Sequence, residues 1–340
     1  METASRFMTP VEMPRGCAGM VSHGEPLLTL GSCFADEVGT CLERQLFDVT
    51  VNPFGPLYNP ASILRAVECL AHDKPVVTAD LIESHGAWHS MLFHSRFSGS
   101  DRENLAEELT RHIHSLHALL PTLKTVCITL GSTRCFIDRA TGRVVANCHK
   151  LPASRFEECR MTMDETADAI VKAYKLLADT APGLRMVVTV SPVRHRGAGF
   201  HADKLSKATL LLGAEKAVNA INAACAIGRL PAGAVYFPAY EIVDDELRDY
   251  RFYAADMLHP SDVAVDYIYS RFADTFFTPE TLSLAERAAA VTMRLLHRPL
   301  NSEIAADTRR AALGAARIFA TQNPAVAPAL DRFISKHITV

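Results

Sequence analysis

The sequence predicts an α/β protein: a three-layer α/β/α domain around a mostly parallel sheet, continued by a helical C-terminal extension. Three observations carry this. Short apolar segments rich in β-branched residues recur along the chain. Between them lie longer stretches whose apolar residues return every three or four positions, the helical spacing. Strands that alternate with helices of that length pair in parallel and are covered on both faces. After about Pro279 the texture changes and the chain becomes rich in Ala and Arg.

Taken in order, residues 1–24 read as a lead-in without the basic start and apolar core of a secretion signal. "LLTL" (27–30) is the first strand. Beyond it Phe34, Val38, Cys41, Leu42 and Leu46 fall at helical steps, so Gly31-Ser32-Cys33 sits on a tight strand-to-helix turn. "PASILRAVECLAHD" (60–73) keeps Ile63, Leu64, Val67, Cys69 and Leu70 largely on one side of a helix. "DRENLAEELTRHIHSLHALL" (101–120) opens on a cap candidate, Asp101, followed by acidic residues; its histidines, "HIHSLH", read as a solvated face. "TVCITL" (125–130), "MVVTVS" (186–191) and "AVYFPA" (234–239) are further strands. Helices fill 164–183, closed by Pro-Gly, and 205–228, closed by Gly. Sites in such sheets form at the carboxyl ends of the strands, where Gly31, Gly131 and Ser191 fall. The domain is expected to span 25–278. The extension (279–340) is expected either to pack on it as helices or to join two copies as a homodimer.

Composition narrows the function. The chain has 340 residues, 49% hydrophobic and 21% charged, the balance of a globular protein. A net charge of −3 without a Lys/Arg block offers no field for nucleic acid. No apolar run reaches the roughly 18 residues that span a bilayer, so no membrane partner is expected. Nine cysteines without a CxxC pair read as reduced thiols in a cytoplasmic protein. Neither a G-x-G-x-x-G after Gly31 nor a P-loop occurs, and no cofactor is expected.

Two places carry chemistry-bearing residues. The first is the Gly31-Ser32-Cys33 turn, beside the free N–H groups of a helix start. The second is "YRFYAADMLHPSD" (250–262), where Asp256 and His259 stand three residues apart ahead of an amphipathic helix. A histidine that works as a base needs a carboxylate to fix its tautomer, and Asp-x-x-His supplies both from one loop. "SPVRHR" (191–196) follows a strand, so Arg194, with His195 and Arg196, is placed to meet an anionic substrate group. His89, His94 and His149, with Cys148, match no compact zinc pattern; they are expected to line the pocket, with no metal bound. The acidic run at 240–251 is expected to hold the last loop through ion pairs.

A nucleophile after the first strand and a late Asp-x-x-His together resemble the SGNH (GDSL-type) hydrolases. More closely, the chain resembles the GSCFA family, named for the pentapeptide at Gly31–Ala35. "NPFGPLYNPASI" (52–63), "WHSMLFHSRF" (88–97), "NCHKLPASRF" (147–156) and "LSKATLLL" (205–212) extend that resemblance over roughly residues 25–275. It implies ester hydrolysis or acyl transfer on a small-molecule or carbohydrate substrate. Asp256 and His259 match the orienting acid and the base, and Gly55 matches a glycine whose N–H binds the oxyanion. The Asn that usually supplies the third donor is replaced by Thr133; Thr133, Ser132, Asn147, His89 or His94 must substitute. Aligned without a gap, the nucleophile is Cys33, with its pKa expected to be lowered by the helix start and the histidine; a one-residue shift makes it Ser32. The alternative reading is a non-catalytic module that keeps the pocket for a sugar or acylated ligand, and a metal-dependent hydrolase is a further one.

Overall fold

The computed structural model describes residues 9–228, 232–297 and 302–338. The chain begins β1 (Leu27–Gly31), α1 (Cys33–Arg44), β2 (Val49–Val51), α2 (Pro60–Ala71), and a hairpin of β3 (Leu81–Ser84) and β4 (Ala87–Ser90). It continues through α3 (Arg102–His117), β5 (Thr125–Leu130), the short strands β6 (Arg134–Asp138), β7 (Arg143–Val145) and β8 (Phe156–Arg160), and α4 (Met163–Thr180). Then come β9 (Arg185–Val190), α5 (Phe200–Ala226), β10 (Ala234–Phe237), the turn α6 (Ala239–Glu241) and α7 (Asp262–Phe276). The last helices are α8 (Pro279–Leu296), α9 (Ser302–Gln322) and α10 (Ala327–His337).

The central sheet has the order β10-β9-β5-β1-β2, and all its pairs are parallel. Every residue of β1 and β5 is buried, which is why both read as continuous apolar runs without alternation. One face carries α2, α3, α4 and α5 over Leu30, Val126, Ile128 and Val188. The other carries α1 and α7, whose Phe34, Leu42, Ile268 and Phe272 close on Cys127 and Val187. Sealing a side chain such as Phe34 from water contributes about 2–3 kcal/mol. The layers are those of a three-layer α/β/α fold.

The Asp101 cap stands where the sequence put it, and a second cap was not foreseen. Asp101 accepts the N–H of Asn104 at 2.6 Å, and Thr162 with Glu165 forms a reciprocal capping box at the head of α4. The histidines of α3 depart from a solvated face. His112 meets the Pro53 carbonyl and His117 the Leu70 carbonyl, both at 2.8 Å, so they tie the helix to its neighbours; His114 alone is well exposed, beside Asp73. The extension is helical and buries its apolar side on the end of α1: Leu295, Leu330 and Phe333 surround Leu46, and Thr292 donates to the Arg44 carbonyl at 2.6 Å.

The small sheets were not foreseen. β3 and β4 form a hairpin, and β7-β6-β8 form an antiparallel sheet beyond the end of β5. That sheet corrects the reading of nine reduced thiols. Cys135 and Cys159 lie directly opposite in the β6–β8 register, their Cα atoms 5.3 Å apart, and form a disulfide; the other seven are free. The pairing depends on strand register, which cysteine spacing does not reveal. Among the described residues no helix is long and apolar enough to cross a membrane.

Candidate active site

The first strand ends in a turn that only glycine fits. Gly31 has φ 146°, and a Cβ there would collide with the Thr129 carbonyl of the adjacent strand. Ser32 is the N-cap of α1, yet its side chain caps nothing. Its hydroxyl is buried and has no hydrogen-bond partner, while its N–H donates to the Thr129 carbonyl at 3.0 Å. Asn52 braces the turn from below. Its Oδ1 accepts the Gly31 N–H at 2.9 Å, and its Nδ2 donates to the Ser32 carbonyl at 3.3 Å and to Asp36 Oδ1 at 3.0 Å. Those bonds hold Asn52 in the left-handed region at φ 37°, which costs a non-glycine residue about 1–2 kcal/mol.

Cys33 follows at the first helical position and is partly exposed. Burial pushes its thiol up, and the carboxylates of Asp36 and Glu37 push the same way; the N–H groups of Cys33 and Phe34 oppose them. The expectation of an acidified thiol is therefore corrected. The positive end of the helix is outweighed by desolvation and by two acids in the same first turn.

The second half of the site lies on the loop before α7. Asp256 Oδ1 accepts the N–H groups of Leu258 (2.9 Å) and His259 (3.0 Å), and its Oδ2 meets His259 Nδ1 at 2.6 Å. The His259 N–H and ring, with the Leu258 N–H, hold the carboxyl down at about 2. The histidine is thus fixed by a carboxylate that stays ionised, and its Nε2 has no partner among the described residues. The loop is itself anchored: the Arg194 N–H donates to the Leu258 carbonyl at 3.1 Å and its guanidinium to the Met257 carbonyl at 3.2 Å. Arg194 stacks over Phe200, 4.2 Å from the ring centroid. The charge of His259 acts on Glu37 in α1 and on His195 after β9.

Between these halves lies a buried polar cluster. Lys207 of α5 is 1% exposed and donates to the carbonyls of Gly131 and Ser191, both at 2.8 Å. Burial lowers its pKa to about 8, while Asp203 and Cys33 pull it back up. His195 stands edge-on to Tyr58, and burial with the Lys207 charge lowers it to about 4, so the ring is neutral at neutral pH. Its Nε2 is buried and unpartnered, as is Asp203 Oδ1.

The candidate oxyanion donors fare unevenly. The N–H of Gly55 donates to the Asn52 carbonyl at 2.7 Å and is engaged there. Gly55 is needed for another reason: at φ 80° it packs so closely on His94 that a Cβ would overlap that side chain. The Thr133 N–H and hydroxyl both donate to Ser206 Oγ, at 2.8 and 3.1 Å, and Ser132 Oγ also lies against Ser206. Asn147 accepts the His149 N–H at 2.9 Å, and His89 stacks on His149 with ring centroids 4.5 Å apart; both brace the β3–β4 insertion. His94 is the histidine brought toward the turn, where its charge acts on Asp36. Among the described residues no three His, Cys, Asp or Glu side chains gather as metal ligands. Lys207, Asp203, Tyr58 and Asn52 were missed. A lone lysine inside the apolar run "LSKATLLL" was the available signal for the first of them.

A cleft of about 910 Å³ between α2, α4 and the β7-β6-β8 sheet is lined by neither Cys33 nor His259. The acidic run after β10 does hold its loop: buried Glu246 pairs with Arg271 at 3.2 Å and accepts from Tyr267 at 2.7 Å.

The sequence model of the GSCFA family matches residues 26–272, from the first strand through most of α7. No curated protein matches the chain.

Proposed function

The chain belongs to the GSCFA family, and we propose that it is an esterase or acyltransferase of the kind the SGNH hydrolases represent, working through an acyl group on Cys33. The observation that carries this reading is the His259–Asp256 pair, 2.6 Å apart with His259 Nε2 left open, together with a partly exposed cysteine at the start of α1, the helix whose Glu37 feels the His259 charge.

His259 Nε2 takes the thiol proton as Cys33 Sγ attacks the acyl carbon. A raised thiol pKa suits such a concerted transfer, because the sulfur stays protonated until substrate arrives. The oxyanion is met by the N–H groups of Cys33 and Phe34. The His259 proton then passes to the leaving oxygen. Water or a hydroxyl, deprotonated by the same nitrogen, releases the acyl group and returns the proton to sulfur. Ser32 is the weaker nucleophile candidate because it is wholly buried.

Peptide mass spectrometry after brief exposure to p-nitrophenyl acetate tests this. An acetyl group on Cys33, lost in Cys33→Ala and cut by roughly 10²–10⁴ in His259→Ala, is the expected result. An acetyl group on Ser32 moves the chemistry by one residue. A peptide unmodified in the wild type leaves a binding module on the same fold.

A further inference from the structure

The reaction scheme gives the oxyanion two backbone donors and no third. The Gly55 N–H is spent on the Asn52 carbonyl, and both donors of Thr133 are spent on Ser206. One missing donor typically costs about 10²–10³ in rate. Other polar groups near the turn are committed as well: Lys207 donates to two carbonyls, and the Asn52 amide donates to Ser32 and Asp36. Tyr58 is different. Its hydroxyl has no hydrogen-bond partner among the described residues, and the residue is 37% exposed.

The backbone brings this ring to the nucleophile turn. The Leu57 N–H donates to the Gly31 carbonyl at 2.7 Å, and the Tyr58 carbonyl accepts the N–H groups of Gly131 and Ser132, both at 2.8 Å. Leu57 and Tyr58 therefore bridge the carboxyl ends of β1 and β5, where sites form in such sheets. The next residue, Asn59, caps α2 by accepting the Ser62 N–H at 2.8 Å, so the bridge is held on both sides. Glycine at position 131 leaves room for the ring. A Cβ there would stand 3.3 Å from Tyr58 Cδ1 and 3.2 Å from the Ser32 Cβ, so the phenol and the nucleophile turn rest on the same glycine. His195 packs edge-on against the ring, with centroids 5.8 Å apart. Burial pushes the phenol up, and the charges of Cys33 and Asp36 push the same way, so at neutral pH it keeps its proton and can donate.

We propose that the Tyr58 hydroxyl is the third oxyanion donor, a catalytic residue that meets the acyl oxygen once substrate is on Cys33. The proposal rests on the acyl-transfer reading. Cys33 Sγ bonds to the acyl carbon as His259 takes the thiol proton. The carbonyl electron pair moves onto oxygen, where the Tyr58 O–H and the two N–H groups receive it. Collapse re-forms the C=O bond and breaks the C–O bond of the ester, whose leaving oxygen takes the proton from His259. Tyr58 keeps its own proton throughout, lending a hydrogen bond that strengthens as charge gathers on the oxygen. A donor already fixed by its backbone needs little reorganisation at that moment.

Tyr58→Phe tests this, because it removes the hydroxyl and leaves the ring against Gly131 and His195. Two reactions at Cys33 are timed by peptide mass spectrometry in the wild type and the variant. Acetylation by p-nitrophenyl acetate passes through an oxyanion; alkylation by iodoacetamide does not. Acetylation slowed by roughly 10²–10³, with alkylation and the urea midpoint unchanged, is the expected result. Equal acetylation rates overturn the role of Tyr58 and leave the acyl-transfer reading standing. Slowing of both reactions in parallel also overturns it, since the ring then only shapes the surroundings of the thiol. A wild type that iodoacetamide labels at Cys33 but that takes up no acetyl group sinks the acyl-transfer reading, and the role of Tyr58 with it.

Discussion

Replacing Lys207 by methionine sets two opposing terms against each other, and pH decides between them. The ammonium is 1% exposed, and burial lowers its pKa from 10.5 to about 8. At neutral pH that gap is a penalty of roughly 3 kcal/mol on the charged form, which methionine removes. Methionine also strips the donor from the Gly131 and Ser191 carbonyls, at about 1–3 kcal/mol each. At neutral pH the variant should therefore lie within a few kcal/mol of the wild type. As pH rises between about 8 and 10.5 the unfolded chain keeps a proton that the folded one has lost, so the wild type gains stability that the variant cannot. The gap should widen in favour of the wild type by roughly 2–3 kcal/mol between neutral pH and the upper end of that window. Urea unfolding followed by circular dichroism at both ends measures it, and comparing the two proteins cancels the titrating groups that Lys207 does not act on. A gap that stays constant with pH would show that Lys207 does not carry a depressed pKa.

Three further outcomes follow from the geometry. Gly55→Ala should cost roughly 2–5 kcal/mol, combining a left-handed backbone with overlap on His94; Gly86→Ala, at φ 76° in open space, should cost only the backbone part of roughly 1–2 kcal/mol, and equal urea midpoints would contradict this. Iodoacetamide should label Cys33 more slowly than a free thiol at neutral pH, and Asp36→Asn should speed it; a rate already at its plateau below the ordinary thiol value of 9.0 would refute the raised pKa. Replacing Cys135 and Cys159 together by serine opens a loop of sequence separation 24 and should lower stability by about 2–4 kcal/mol, read as a falling urea midpoint.

The central sheet was legible because its strands are buried on both faces. "TVCITL" became β5 without a shift of boundary, and β1 and β9 moved by a single residue. Such runs need no partner to be recognised; their apolar continuity is intrinsic. β2, β6 and β7 carry no such mark. β2 has only three residues, and β6 is half-buried, so its order comes from neighbours rather than from its own period. α5 begins five residues before its expected start because Phe200, His201 and Lys204 are exposed and Asp203 is polar, which leaves no apolar period to read. Yet that first turn supplies the buried Asp203.

The site divides along the same line. Asp256 and His259 could be read because both belong to one loop, where three residues of chain set their distance. Cys33 could be read because a strand-to-helix turn is a local event. Thr133 could be placed by the strand before it, but its engagement with Ser206 could not, since that contact joins the turn after β5 to α5 across 73 residues. The same holds for Lys207, which reaches Gly131 across 76. The groups that set charge around the candidate site, Lys207, His195 and Asp203, converge from the end of β9 and from α5. Sequence therefore points to the candidate residues, while the folded sheet edge determines the field around them. Cys33 shows the consequence: a helix start alone argues for a low thiol pKa, and the two acids of its own first turn, with burial, reverse the sign.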